Sequence, residues 1–403
     1  MKSNWNLIIV GGGASGMVAA IRAAERKRDV LMIEKADHPG RKVAASGNGR
    51  CNMMNSGELR YYGDADFAKC VIGLYPQDRL AAFFRKYGLL VSEDQEGRIY
   101  PITFQSASVL SVLKNAMEQA GVQTVMNTRV ISVIPNKDGF TVSTSAGHTY
   151  ESRKAIIACG GASQPQLGGT EDGYKFLQSM GHRIINTFPA LVPLVTDSKS
   201  ISGLSGIRVR GRVSLFNGCH QIHTEEGEIL FTEYGISGIC VMQCARFVHG
   251  ANNHLDIDFF KGIFESNDVA ESEMKRRQGL FHENSPVILL EGILPHKISY
   301  AVMKQAGIPL RGEKAGDLSD DQIRRIIHVA KQYRIEIKET RGLKYSQVTA
   351  GGADCREFNP ITMESRKIHG LYATGEVLNV DGDCGGYNLM FAFASGLIAG
   401  EAV

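Results

Sequence analysis

The first residues able to do chemistry lie close to the start of the chain. Gly11, Gly13 and Gly16 follow the apolar run Leu7–Val10 and open a segment of helical spacing from about Ser15 to Lys27. A second apolar run, Val30 to Ile33, ends at Glu34. Strand, glycine turn, helix and strand in that order make the dinucleotide fingerprint. Each glycine has a separate task. Gly11 permits the tight turn, Gly13 lets the backbone approach a pyrophosphate, and Gly16 lets the helix lie close to the strand. The helix start at Ala14 and Ser15 then presents N–H groups and a positive dipole to phosphate. Glu34 is placed to accept hydrogen bonds from a ribose diol, which favours FAD or NAD over NADP.

Four further groups have the same character. Gly40-Arg41-Lys42 offers two cations for a phosphate or for the electron-rich edge of a flavin. Ser46-Gly47-Asn48-Gly49-Arg50-Cys51-Asn52 combines small residues, amides and a thiol in seven positions. Ala373-Thr374-Gly375-Glu376 leaves a strand and carries a carboxylate suited to a ribityl chain. Gly385-Gly386-Tyr387-Asn388 starts the last helix, whose N-terminus would stabilise negative charge on a reduced flavin. Further expected cofactor contacts are Lys35, Val130, Gly160 and Leu389. Cys51 is read as packing or cofactor contact. No residue is assigned as catalytic, although Tyr234, His296 and Tyr387 are able to donate a proton.

These groups need elements to hold them. Leu80, Phe83, Phe84 and Tyr87 share one helical face, and Val109 to Ala120 forms a second stripe ending at Gly121. Strands are expected near 122–134, 140–150 and 155–158. From about Pro189 the pattern changes to short alternating strands up to 258, then to polar helices up to 333. Ser319 and Gln322 form a capping box ahead of the stripe Ile323, Ile326, Ile327 and Ala330. Strands return from about 335, and a last helix runs from about Asn388 to Ala402. The simplest organisation is one α/β domain built from residues 1–190 and 335–403, with a β insertion at 191–258 and a helical segment at 259–334.

Composition narrows the class. The chain has 403 residues, 43% hydrophobic and 22% charged, which fits a globular protein and excludes a disordered or fibrous one. The formal net charge of +3 gives no case for a nucleic-acid surface. No run of 18 apolar residues is present, and Met1 to Trp5 runs into a strand without a signal-peptide pattern. The eight cysteines form no Cys-x-x-Cys pair, so no zinc site is expected. The reading is a cytoplasmic protein with reduced thiols, no metal and no membrane span.

Taken together, Val10 to Gly16, Gly40-Arg41-Lys42, Ser46 to Asn52, Phe231 to Gly238, Asn359 to Ser365 and Gly385 to Asn388 resemble the BaiN-like family of FAD-binding oxidoreductases. That family includes aminoacetone-oxidase-type proteins and a reductase proposed for bile-acid enones. The resemblance covers nearly the whole chain and keeps the motif order. It implies a two-dinucleotide-fold-type FAD domain, an inserted β-barrel-like domain and a helical cap. Asn48 and Glu233 depart from it, since many relatives carry Gly and His there. The expected cofactor is non-covalent FAD, with NADH or NADPH as a transient reductant and a small molecule as substrate. The favoured reaction is reduction of an enone-like double bond. The alternatives are oxidation of a small amine such as aminoacetone, or a non-enzymatic redox sensor. No second Gly-x-Gly-x-x-Gly unit is present for a separate nicotinamide domain.

Overall fold

The computed structural model describes residues 4–403. Met1, Lys2 and Ser3, part of the lead-in read from the sequence, lie outside the described residues. The chain forms two compact units, one from residues up to Ala190 with Ser346–Val403, the other from Leu191–Tyr345.

The first unit is organised on a seven-stranded sheet. Strand β1 (Asn4–Val10) pairs in parallel with β2 (Val30–Ile33) on one side and with Thr149–Ile157 on the other. Both inner strands end in consecutive buried residues, as expected of parallel strands covered on two faces. Helix α1 (Ala14–Glu25) makes the crossover between β1 and β2. It stops two residues earlier than its apolar spacing predicts, because Lys27 turns into the left-handed region at φ 60°.

The sequence separates a strand at 140–150 from another at 155–158. The structure divides the first into Gly139–Thr144 and the start of a longer strand, Thr149–Ile157, which takes in the second. Its first half pairs antiparallel with Gly139–Thr144, and its second half pairs in parallel with β1 and with Leu371–Ala373. The change of partner explains why polarity changes halfway along one continuous strand. Helices Gln77–Lys86 and Ser106–Gln119 stand where their stripes place them. Helix Ala65–Leu74 has no sequence expectation behind it. Only Ala68, Val71 and Ile72 are buried in it, too few to announce a period of 3.6.

The second unit contains a closed six-stranded barrel. Its long hairpin, Arg208–Asn217 with His220–Phe231, is completed by Gly235–Ser237, Leu194–Thr196 and Asn253–Asp258. The sixth strand is Tyr333–Thr340, paired to both Asn253–Asp258 and Leu194–Thr196. Closure needs this strand, since an open barrel would leave two unpaired edges. Tyr333, Ile335 and Ile337 point inward in strict alternation. The barrel and the helices of 259–334 share one hydrophobic core, which includes Leu255, Met274, Ile298, Ile326 and Ile335. The structure therefore carries the inserted unit on to Tyr345 and makes the β and helical parts one body. The capping box at Ser319 forms with both of its hydrogen bonds, and the predicted stripe behind it is buried.

Among the described residues no cluster of His, Cys, Asp and Glu is arranged to hold a metal. Among the same residues no helix is long and apolar enough to cross a membrane.

Candidate functional site

The glycine turn between β1 and α1 is closely packed on one side and open on the other. Gly11 has φ 108°, and a Cβ there would lie 2.4 Å from the Ala158 carbonyl oxygen. A Cβ on Gly16 would lie 2.0 Å from the Gly11 carbonyl oxygen. Around Gly13, by contrast, a Cβ would meet nothing within 4 Å. Gly13 caps α1 with no side-chain hydrogen bond, so the N–H groups of Ala14, Ser15 and Gly16 have no helical partner. An open side lined by unpaired donors at the positive end of a helix suits a pyrophosphate.

Glu34 directly follows β2 and reaches back to this turn. Its Oε2 accepts the Gly12 N–H at 2.6 Å, and its Oε1 accepts the Ala36 N–H at 2.8 Å. One carboxylate thus ties the second strand to the glycine turn and keeps further lone pairs for a diol. The Thr128 N–H donates to the Glu34 carbonyl, which brings buried Val130 close to the end of β2. Lys35 is half-buried beside it. Replacing Glu34 with Ala removes two charge-assisted hydrogen bonds of about 1.5–3 kcal/mol each within the turn. Titration of apoprotein should show FAD affinity lowered at least tenfold, with the circular dichroism of the fold retained. Unchanged affinity would mean that the carboxylate serves the turn alone.

A second cluster joins residues that the sequence keeps far apart. Lys42 Nζ donates to Glu376 Oε2 at 2.7 Å and to Ser163 Oγ at 2.7 Å. Ser163 Oγ is also 2.9 Å from Glu376 Oε1, which accepts the Thr349 N–H at 2.9 Å. Burial alone would raise the Glu376 carboxyl. The Lys42 charge and the hydrogen bonds from Lys42, Thr349 and Ser163 outweigh it and hold the group below the usual carboxylate range. Gly161 makes room for this carboxylate, because a Cβ there would come within 2.5 Å of Glu376 Oε1. The sequence reading sends Glu376 and Lys42 separately to a cofactor, whereas the structure pairs them with each other. Arg41 likewise donates to Asp37 at 2.8 Å. Ser163 and Thr349 were not foreseen, and their only sequence signal is adjacency to the glycines at 160–161 and 351–352.

The third part is the loop from Ser46 to Asn52 and the start of the last helix, Tyr387–Ala402. Gly47, Asn48 and Cys51 all take left-handed φ values, 56°, 53° and 58°. Asn tolerates that region better than most side chains. Ser46 fixes the loop through its hydroxyl on the Val43 carbonyl and its carbonyl on the Cys51 N–H. Cys51 is fully buried, and burial pushes its thiol up to about 11. It is therefore a neutral thiol at pH 7, which fits packing and not nucleophilic chemistry.

Asn55 Nδ2 donates to the Gly385 carbonyl at 2.8 Å, and Tyr387 Oη donates to the Glu58 carbonyl at 2.9 Å. These bonds fasten the helix start to residues 55–58, just past the loop. They also occupy the Tyr387 hydroxyl as a structural group. Asn388 exchanges both amide bonds with Gly382, and Leu389 is half-buried. The N-cap Gly386 supplies no side-chain cap, so the first N–H groups of this helix also lack helical partners. Gly160 and Gly375 adopt φ 71° each, and Gly375 donates its N–H to Ser395.

Two buried acceptors near these segments, Asn52 Oδ1 and Thr374 Oγ1, have no protein hydrogen-bond partner. Thr374 lies beside the glycine turn, its carbonyl accepting from Ser15 Oγ, and Asn52 lies beside Gly386 at the start of the last helix. With Glu34 and two uncapped helix starts, the residues present suit FAD.

A Ser–His–Glu row elsewhere in this unit has a different meaning. The His182 ring bridges Ser365 Oγ at 3.0 Å and Glu357 at 2.9 Å. Both the ring and the Ser365 hydroxyl are buried, and that hydroxyl accepts the N–H groups of Lys367 and Ile368 at 3.0 Å each. Burial lowers the His182 pKa despite Glu357, so the ring is neutral. The row is a structural lock, because its hydroxyl has no free approach for a substrate.

The parallel sheet, the glycine turn and the acidic end of β2 define a Rossmann-type FAD domain, here joined in one chain to a closed barrel. The chain belongs to the family described as "HI0933-like protein Rossmann domain", which matches residues 5–402. The family resemblance read from the motifs is borne out. The chain is 34% identical to a 3-dehydro-bile acid delta(4,6)-reductase of Clostridium scindens, covering 98% of each. It is 29% identical to a ribosomal RNA dihydrouridine synthase of Escherichia coli, covering 97% of this chain and 96% of that one. Among solved structures, 3-ketosteroid delta1-dehydrogenase from Sterolibacterium denitrificans superposes with a TM-score of 0.53 at 14% identity, covering 99% of both chains. A flavocytochrome c3 fumarate reductase gives 0.51 at 14% identity, covering 99% of this chain and 78% of that one. These structures share the fold. The protein is a member of a family of FAD-dependent oxidoreductases.

Proposed function

We propose that this protein is an FAD-dependent reductase that saturates a carbon–carbon double bond conjugated to a carbonyl, with NADH or NADPH as reductant. The observation that carries the reading is the full-length likeness to a reductase named for a steroid acid. The second relative supports the same chemistry. Dihydrouridine is uridine with its ring double bond, itself conjugated to a carbonyl, saturated. One reaction type therefore spans both names.

In this reading the bound FAD supplies the hydride chemistry. The chain supplies binding and orientation. The turn from Gly11 to Gly16 and the start of α1 hold the pyrophosphate, and Glu34 holds the adenosine ribose. The loop from Ser46 to Asn52 and the helix start at Gly386 to Leu389 hold the flavin end, where unpaired N–H groups favour negative charge. Glu376, kept ionised by Lys42, orients polar groups of the same cofactor. Residues 191–345 select the substrate. A small molecule fits the near-neutral net charge of +3 better than RNA does.

The test is anaerobic stopped-flow on protein carrying released-and-identified FAD. NADH or NADPH should bleach the flavin. The reduced protein should reoxidise quickly with 4-androstene-3,17-dione and slowly in air. FMN in place of FAD, or rapid reoxidation by oxygen with peroxide formed as a small amine is consumed, would overturn the reading. Reoxidation by unmodified ribosomal RNA alone would keep the reaction and replace the substrate class.

A further inference from the structure

Lys42 and Glu376 form a pair with bonding capacity left over. The Lys42 ammonium has three N–H donors. Among the described residues one goes to Glu376 Oε2 at 2.7 Å and one to Ser163 Oγ at 2.7 Å, which leaves the third. Glu376 Oε1 takes the Thr349 N–H and the Ser163 hydroxyl, both at 2.9 Å. Among the same residues Oε2 takes Lys42 alone, so it keeps a lone pair. Neither side chain of the pair is fully covered. The pair thus offers one donor beside one acceptor.

Ser163 is completely buried and touches both members. Its N–H donates to Thr349 Oγ1 at 2.8 Å, which fixes the backbone below it. Its oxygen accepts from Lys42, and its proton goes to Glu376 in preference to the Gln347 carbonyl at 3.4 Å. One hydroxyl therefore sets the position of two charges.

All of these residues belong to the first unit, and both halves of the pair lean on the glycine turn. Two residues before Lys42, the Gly40 N–H donates to the Gly12 carbonyl at 2.9 Å. Next to Glu376, Gly375 lies so near the start of α1 that a Cβ would come within 2.8 Å of Ser15 Oγ. Glu34 reaches the same turn and takes the adenosine side of the pyrophosphate, which leaves the ribityl side for the pair. Charge decides what the pair can hold there. Arg41 is matched by Asp37 and Lys42 by Glu376, so neither cation of Gly40-Arg41-Lys42 is left over for a phosphate. The Glu376 carboxylate would repel one. A neutral hydroxyl accepts from an ammonium and donates to a carboxylate at once. The ribityl chain carries such hydroxyls directly after the pyrophosphate.

We propose, on the FAD reading given above, that Ser163 locks Lys42 and Glu376 into a single reader of one ribityl hydroxyl, Lys42 donating to its oxygen and Glu376 accepting its hydrogen bond. Lys42 and Glu376 touch the cofactor. Ser163 acts through them and is a positioning residue. Locking the two long side chains beforehand lowers the entropy lost when the cofactor enters.

The full chain, freed of flavin, is titrated with FAD and with the FAD analogue whose ribityl chain is replaced by a plain five-carbon chain, and binding is read from flavin fluorescence. Wild type should bind FAD at least tenfold more tightly than the analogue, about 1.4 kcal/mol. Ser163→Ala should raise the Kd for FAD about fivefold or more and leave that for the analogue within about twofold of wild type. Lys42→Met should remove most of the preference for FAD. A serine with a merely structural role would weaken both flavins alike. Equal loss of both flavins, or no loss of FAD, in Ser163→Ala overturns the proposal. Equal binding of both flavins by wild type overturns it without any variant having to fold. In each of these cases the FAD reading stands, whereas a wild type that binds no FAD brings down that reading itself.

Discussion

Gly16→Ala should yield protein without bound flavin and with unfolding free energy lowered by about 3 kcal/mol. The new Cβ would sit 2.0 Å from the Gly11 carbonyl oxygen. Gly11 cannot retreat, since its N–H is bound to the Ile33 carbonyl at 2.9 Å and its own free side lies against Ala158. The strain therefore falls on the contact between β1 and α1. Gly13→Ala is the informative partner. Gly13 has φ −77°, which any residue adopts, and its Cβ position meets no protein atom within 4 Å. This variant should keep its stability within about 0.5 kcal/mol and still bind FAD far more weakly, because the methyl group occupies the side left open for pyrophosphate. Urea unfolding and FAD titration of both variants separate the effects. A Gly13→Ala protein with wild-type FAD affinity would place the pyrophosphate elsewhere.

Glu376→Ala should cost about 3 kcal/mol, the low end for one partner removed from a buried ion pair. The low end applies because the side chains of Lys42 and Glu376 keep 27% and 19% of their exposure. The loss leaves the Thr349 N–H without its acceptor, and the Lys42 ammonium keeps the Ser163 hydroxyl but loses its counter-charge. The pH dependence has a defined sign. The Glu376 carboxyl is held below its unfolded value, so its stabilisation is complete above the unfolded pKa of about 4.3 and is lost as pH falls through the folded one. Wild type should therefore lose stability in acid more steeply than Glu376→Gln over that window. Parallel acid slopes for the two proteins would show that the carboxylate is not differentially stabilised by folding.

What could be read without coordinates was local. A strand, three glycines, a helix and an acid at fixed offsets within Leu7–Glu34 describe one supersecondary unit, and its chemistry follows from turn and helix-end geometry alone. The capping box at Ser319 and the stripe behind it are local for the same reason. Helix Ala65–Leu74 escaped because three buried positions make no readable period. The barrel boundary escaped because an alternating strand such as Tyr333–Thr340 suits either unit until its partners are known.

Composition, motif order and the nucleotide-binding end of the chain were thus determined by the sequence itself, since periodicity, caps and glycine turns act over a few residues. The tertiary structure decided the partners. Lys42 and Glu376 are 334 positions apart, and either would suit several opposite charges. Topology brings the strand ending at Ala373 beside Thr149–Ile157 and so delivers Glu376 to Lys42, Ser163 and Thr349. Barrel closure, which pairs Leu194–Thr196 with both Gly235–Ser237 and Tyr333–Thr340, brings Arg341 over the Tyr234 ring in the same way. A charged or aromatic side chain carries no local signal of its partner, because that choice is made by which distant strands share an edge.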